Sequence, residues 1–149
     1  MFQDRRNEIS ISLDEATNEF QKIRTSIKNL LYKLGYECEN IRYNHDDLDE
    51  AFMKNQYYQL ADKLDDIERR LDYLSKPVRD QGYIRQNNAG RYELPSGDYL
   101  TSGSVCEILI NEESEQYWVL TSIEHNGDDY YSTTLGKDVS IDGMMVRIR

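Results

Sequence analysis

A chain of 149 residues, 38% hydrophobic and 31% charged, has room for one ordinary domain or two small ones around modest cores. Twenty-eight acidic residues against 18 Lys and Arg leave a net charge of -10. A field of that sign excludes the usual route to duplex DNA, in which cationic groups release counterions from phosphates, and favours basic protein surfaces instead.

Cys38 and Cys106 stand apart, without CxxC spacing, and His45 and His125 are the only histidines. Neither a disulfide framework nor a zinc knuckle is expected. The N-terminus, Met-Phe-Gln-Asp-Arg-Arg, carries no apolar signal core, and no run approaches membrane-spanning length. The expected location is the bacterial cytoplasm, with no membrane partner.

The first ordered signal is Ser12-Leu13-Asp14-Glu15, a capping box preceded by Ile11 as a hydrophobic staple. Leu13, Ala16, Phe20, Ile23, Ile27, Leu30 and Leu34 then alternate by threes and fours, and Gly35 follows as a left-handed cap. A helix from Leu13 to Leu34, roughly 33 Å long, is predicted.

A second stripe, Met53, Tyr57, Leu60, Leu64, Ile67, Leu71 and Leu74, starts near Asp46 and stops at Pro77. Asp46, Asp47, Asp49 and Glu50 crowd its first turn, where the helix dipole favours them. Residues 1–78 should therefore form an antiparallel, coiled-coil-like helical hairpin with the two stripes zipped together. The same stripes admit a homodimer through the helices.

After Pro77 the texture changes to short β-branched and aromatic runs at 83–85, 91–94, 105–110, 117–123, 129–133 and 144–148. Turn residues separate them, and Asn126-Gly127 reads as a type I′ hairpin. The fold class is α+β, with residues 79–149 forming a small SH3-like antiparallel β-barrel.

No motif carries chemistry. There is no H-E-x-x-H, no glycine-rich phosphate loop and no nucleophile elbow, so no catalytic residue, metal site or cofactor is assigned and the chain is not expected to be an enzyme. Residues 79–149 hold six Lys or Arg against twelve Asp or Glu, a net charge of -6, with Arg147 and Arg149 concentrating what positive charge exists.

Partner contacts are placed instead on three groups. Asp62, Asp65, Asp66 and Asp72 follow the polar side of the second helix, where carboxylates on a rigid rod can imitate a phosphate backbone. An ordinary solvated face with pairs such as Asp65 to Arg69 is the competing reading. Strand alternation puts Tyr117 and Trp118 on opposite faces, as it does Tyr130 and Tyr131, so one ring of each pair should be buried. Trp118 and Tyr131 are the candidate contacts. Glu124, Asp128 and Asp129, beside His125, form the third group, at a turn.

The segments Tyr92-Glu93-Leu94-Pro95-Ser96-Gly97, Leu100-Thr101-Ser102-Gly103, Tyr117-Trp118, Ser122-Ile123-Glu124-His125, Tyr130-Tyr131 and the ending from Gly143 carry a resemblance. In this order they resemble an uncharacterised small domain family of phages, plasmids and conjugative elements of Gram-positive bacteria. The helical hairpin lies outside it. Small acidic proteins of such elements include anti-CRISPR inhibitors of Cas9, which hold their nucleic acids in positively charged channels. Genomic habitat and acidic charge together lead to the expectation of a non-enzymatic inhibitor that binds a basic surface, on Cas9 or its guide-RNA complex. An accessory peptide- or protein-binding module of the mobile element is the alternative, and a metal-dependent RNase the third.

Overall fold

The computed structural model describes residues 9–149. The first eight residues, on which the signal-core reading rests, lie outside the described residues. Two compact units divide between Ser75 and Lys76. Helix α1 spans Leu13–Leu34 and α2 spans Leu48–Ser75. No described helix is long and apolar enough to cross a membrane.

Local chemistry sets both helix starts. The Glu15 amide donates to the Ser12 hydroxyl at 3.1 Å, and the amides of Asp49 and Glu50 donate to Asp47 Oδ1 at 2.9 and 3.3 Å. At the end of α1, Gly35 has φ +86° but an extended ψ of 166°, so the predicted left-handed cap does not form. Asn40 replaces it: its amide donates to the Leu34 carbonyl and its side chain to that of Lys33. The positive φ of Gly35 favours glycine there, and a Cβ would also displace the Glu39 carboxyl group, 2.5 Å away.

The helices pack antiparallel, but the stripes do not zip face to face as the spacing predicts. Of the fourteen stripe residues only Ile27 and Leu71 are buried; Ala61, off the stripe, joins them. Leu64 is half-buried, and Phe20, Ile23, Leu30, Leu60, Ile67 and Leu74 remain 42–54% exposed. Polar residues take part of the seam. Arg24 bridges Glu68 at 3.1 Å and Asp72 at 2.7 Å, and the Gln21 amide donates to the Leu71 carbonyl. Each helix is thus rolled off the centre of its apolar stripe.

The second unit contains β1 (Asp80–Tyr83), β2 (Arg85–Gln86), β3 (Tyr92–Glu93), β4 (Val105–Glu112), β5 (Glu115–His125), β6 (Tyr130–Ser132) and β7 (Met145–Ile148). The predicted run at 83–85 breaks at Ile84, which turns into the core between β1 and β2. Five strands form one antiparallel sheet in the order β1-β7-β4-β5-β6, and β2-β3 is a separate ladder. The expected barrel is therefore corrected to an open sheet: β1 and β6 are its edges and do not pair. Strand β6 is only three residues long, and the chain beyond it turns back through Gly136 rather than extending toward β1.

Asn126 also departs from the type I′ expectation. Gly127 alone has positive φ there, and the Asn126 side chain accepts from the amides of Asp128 and Asp129, both at 2.9 Å. That Asx geometry closes a four-residue connection, with His125 opposite Tyr130.

One sheet face, including Cys106, Ile108, Ile123, Val146 and Ile148, is covered by Ile84, Tyr92, Leu94, Leu100 and Ile141. The covering residues come from β3 and irregular segments, so the short β2-β3 ladder and turns together complete the core. Burial pushes the Cys106 thiol up to about 12.

Tyr92 is buried to 1% exposure, with its hydroxyl donating to Asp129 Oδ2 at 3.0 Å. Burial first, then the Asp129 carboxylate, raises its phenol to about 12 from 10.0. The neutral phenol is the form that the fold favours. Its contribution is whole below pH 10 and is lost as pH climbs through 12, an expected loss of roughly 2–3 kcal/mol. Urea unfolding at pH 9, 10.5 and 12 should show this slope, and Tyr92→Phe should flatten it. An identical slope in the variant would remove Tyr92 as its cause.

Candidate protein-binding site

The bend of the hairpin encloses a groove of about 720 Å³, lined by Leu31, Tyr32, Gly35, Tyr36, Glu37, Cys38, Tyr58, Ala61, Asp62, Asp65 and Arg69. Helical spacing explains the grouping. On α2, Tyr58, Asp62, Asp65 and Arg69 recur at threes and fours along one flank of the row that packs on α1. Tyr32 and Tyr36 leave the end of α1 on the same side. The conformation of the bend is held by Cys38, buried with φ +57°, and by Gly35 above Glu39.

Two chemistries meet in this groove. Tyr32 and Tyr36 are 88% and 95% exposed, and Tyr58 is about half exposed. Glu37, Asp62 and Asp65 supply carboxylates; Asp65 pairs with Arg69 at 2.9 Å. Among the described residues no cation lies within ion-pair distance of Glu37 or Asp62. Close by, the amides of Glu39 itself and of Glu37 hold the Glu39 carboxyl below its ordinary value. The Lys54 ammonium lies 5.8 Å from the Tyr58 ring and 6.0 Å from that of Tyr43. Exposed phenol rings beside carboxylates suit an Arg or Lys side chain, which takes a cation–π contact on one side and charge-assisted hydrogen bonds on the other.

The other expected contacts lie elsewhere. Asp66 borders an apolar groove with Phe20, Ile67, Arg70, Leu71 and Leu74. Asp72 faces α1 and is engaged by Arg24. Trp118 is half-buried on the sheet face turned away from the core of the β unit, with the Arg147 guanidinium 4.1 Å from its ring centre. Tyr117, its neighbour, is 41% exposed, so that pair has no buried member, whereas Tyr130 packs on the core. Tyr131 is half-buried, opposite Glu124 across the β5–β6 ladder, with the Lys137 ammonium 5.7 Å from its ring.

Asp128 is exposed in the turn. Asp129 is committed locally, accepting from Tyr92, Gln86 and the Tyr130 amide. Within the helical unit the structure therefore brings Asp62 and Asp65 together and does not bring Asp66 or Asp72 into their groove, while Trp118, Tyr131, Glu124, Asp128 and Asp129 belong to the β unit. No three His, Cys, Asp or Glu side chains gather as a cation site among the described residues.

Sequence reasoning missed Tyr32, Tyr36, Tyr58 and Glu37. A signal was present: these tyrosines stand off the apolar stripe, where packing gives no reason for an aromatic ring.

The whole is an α+β protein of a helical hairpin and an open antiparallel sheet unit. Residues 82–148, which run from β1 into β7, match the family model DUF5348, described as a domain of unknown function. No curated protein and no solved structure matches the chain.

Proposed function

We propose that this chain is a non-enzymatic protein-binding module whose hairpin bend takes a basic side chain of its partner. The observation that carries the reading is the convergence of Tyr32, Tyr36 and Tyr58 with Glu37, Asp62 and Asp65 around one groove. The net charge of -10 supports it, because a partner with a basic surface is steered toward such a protein before contact.

In its particular form, the partner is a nucleic-acid-guided defence nuclease of the Cas9 type, met in a bacterial cytoplasm, and the chain is a mobile-element inhibitor of it. The resemblance of the second half to a mobile-element domain family supports that form. From its several short antiparallel strands the β unit is read as an SH3-like module left open at one seam. Trp118 and Tyr131 then belong to a secondary contact, and an accessory module binding another protein of the element is the rival.

An Arg-rich peptide and purified Cas9, with and without guide RNA, are the probes. Binding should weaken steeply from about 50 to 500 mM salt, as the Debye length falls from roughly 14 to 4 Å. Glu37→Gln with Asp62→Asn should slow association, whereas Tyr32→Ala with Tyr36→Ala should speed dissociation, with about a 10-fold loss of affinity in each case. Peptide binding without any effect on DNA cleavage, whether the protein is added before or after guide loading, would sink the Cas9 form and promote the accessory module. Failure to bind either probe would overturn the groove itself. Metal-dependent cleavage of guide RNA would favour an RNase, with Glu124, His125, Asp128 and Asp129 the first residues to replace.

A further inference from the structure

The hairpin has a second face with different chemistry. On α2, Leu60, Ile67 and Leu74 lie on the flank of the packing row opposite to Asp62, Asp65 and Arg69. On α1, Phe20, Ile23 and Leu30 lie opposite to Tyr32. Because the helices run antiparallel, these two apolar flanks face the same way, and Phe20, Ile67 and Leu74 line one groove together. All six side chains are 42–54% exposed.

We propose that this face binds a second copy of the same chain, giving an antiparallel four-helix bundle that leaves the two acidic grooves pointing outward. Three observations favour a second copy. First, the stripe repeats at heptad spacing on both helices, which is the pattern that two hairpins need for packing at about 20°. Second, the face has the right size: large apolar side chains near half exposure offer on the order of 80 Å² each. Six of them offer about 480 Å² per copy, close to the ~500 Å² per partner that a specific interface must clear.

Third, acidic charge at this face is balanced by basic side chains. Lys63 stands at i+3 from Leu60 and i−4 from Ile67, and Arg70 at i+3 from Ile67 and i−4 from Leu74. Asp66 lines the groove beside Arg70, and Glu19 is paired with Lys22 at 3.0 Å. A rim of both signs suits a two-fold contact, in which each patch must complement itself. The opposite flank, with Glu37, Asp62 and Asp65, would repel its own copy.

Sedimentation equilibrium of the full chain tests this. At roughly 100 µM, well above a micromolar Kd, the mass should be twice the 17.6 kDa of one chain. Ile23→Glu with Ile67→Glu should weaken association by at least about 100-fold, because each charge would be desolvated against a hydrocarbon surface. Both positions are half exposed in a single hairpin, so helicity by circular dichroism should be kept. Tyr36→Ala with Asp62→Asn, in the acidic groove, should leave the mass unchanged. A monomer at this concentration would overturn the proposal. A dimer that survives Ile23→Glu with Ile67→Glu would do the same, since the contact would then lie elsewhere, such as at the β1 or β6 edge.

Discussion

Truncating Glu107 to Ala will destabilise the β unit by about 3 kcal/mol, the lower end of the range for breaking a buried ion pair. Glu107 is the one strongly buried carboxylate among the described residues, with a side chain 7% exposed. Arg147 donates to its Oε1 through Nε and Nη2 at 3.0 and 2.8 Å, and Arg149 donates to its Oε2 through Nε at 3.0 Å. Without the carboxylate, two guanidinium groups only 20–21% exposed would be left side by side. Their residual exposure lets water recover part of the loss, which is why the lower end applies. Arg149→Ala should cost less, because Arg147 still satisfies Glu107. Urea unfolding followed by Trp118, the sole tryptophan, reads this unit directly. A loss under about 1 kcal/mol for Glu107→Ala would show that the network is hydrated and contributes little.

The second large effect is in the hairpin. Ile27→Asp removes one of the few side chains that α1 and α2 bury and places a charge between them. Truncation alone costs about 2–5 kcal/mol and an unpaired buried charge adds more. Few other buried apolar groups compensate, so the hairpin should unfold, with most far-UV helicity lost. Leu64→Asp should be milder, because Leu64 is only half-buried and its charge can reach water. Equal loss in the two variants would restore the symmetric seam that the stripe spacing implies. Retained helicity in Ile27→Asp would mean that the two helices do not depend on this contact.

The helix limits were legible because short-range chemistry sets them. Ser12 caps α1 through Glu15, and the apolar stripe ends where Leu34 meets Gly35. The later strands were legible for a similar reason: alternation and turn residues are local, and β4 through β7 fall within two residues of the expected limits at every end, with β5 reaching two further at both. Asn126 shows where local reading fails, since its side chain can cap a longer turn as well as its backbone can enter a type I′ one.

Whether the sheet closes is not a local property. It depends on β1 and β6 meeting across the unit, and their distance in sequence gives no measure of that. The roll of each helix on its partner is equally non-local. Periodicity marks a stripe about 100° wide, but Arg24 reaching Glu68 and Asp72 decides which edge of the stripe is covered. The groove at the bend follows from the same roll, because it turns Tyr58, Asp62 and Asp65 toward Tyr32 and Tyr36.

The sequence by itself thus determined the two units, both helices, the strands β4 to β7 and the acidic field, all of which rest on composition and on contacts within a few residues. Tertiary structure alone decided the open sheet, the half-covered helical stripes and which carboxylates share a site with aromatic rings, because each depends on how packed surfaces from distant segments settle against one another.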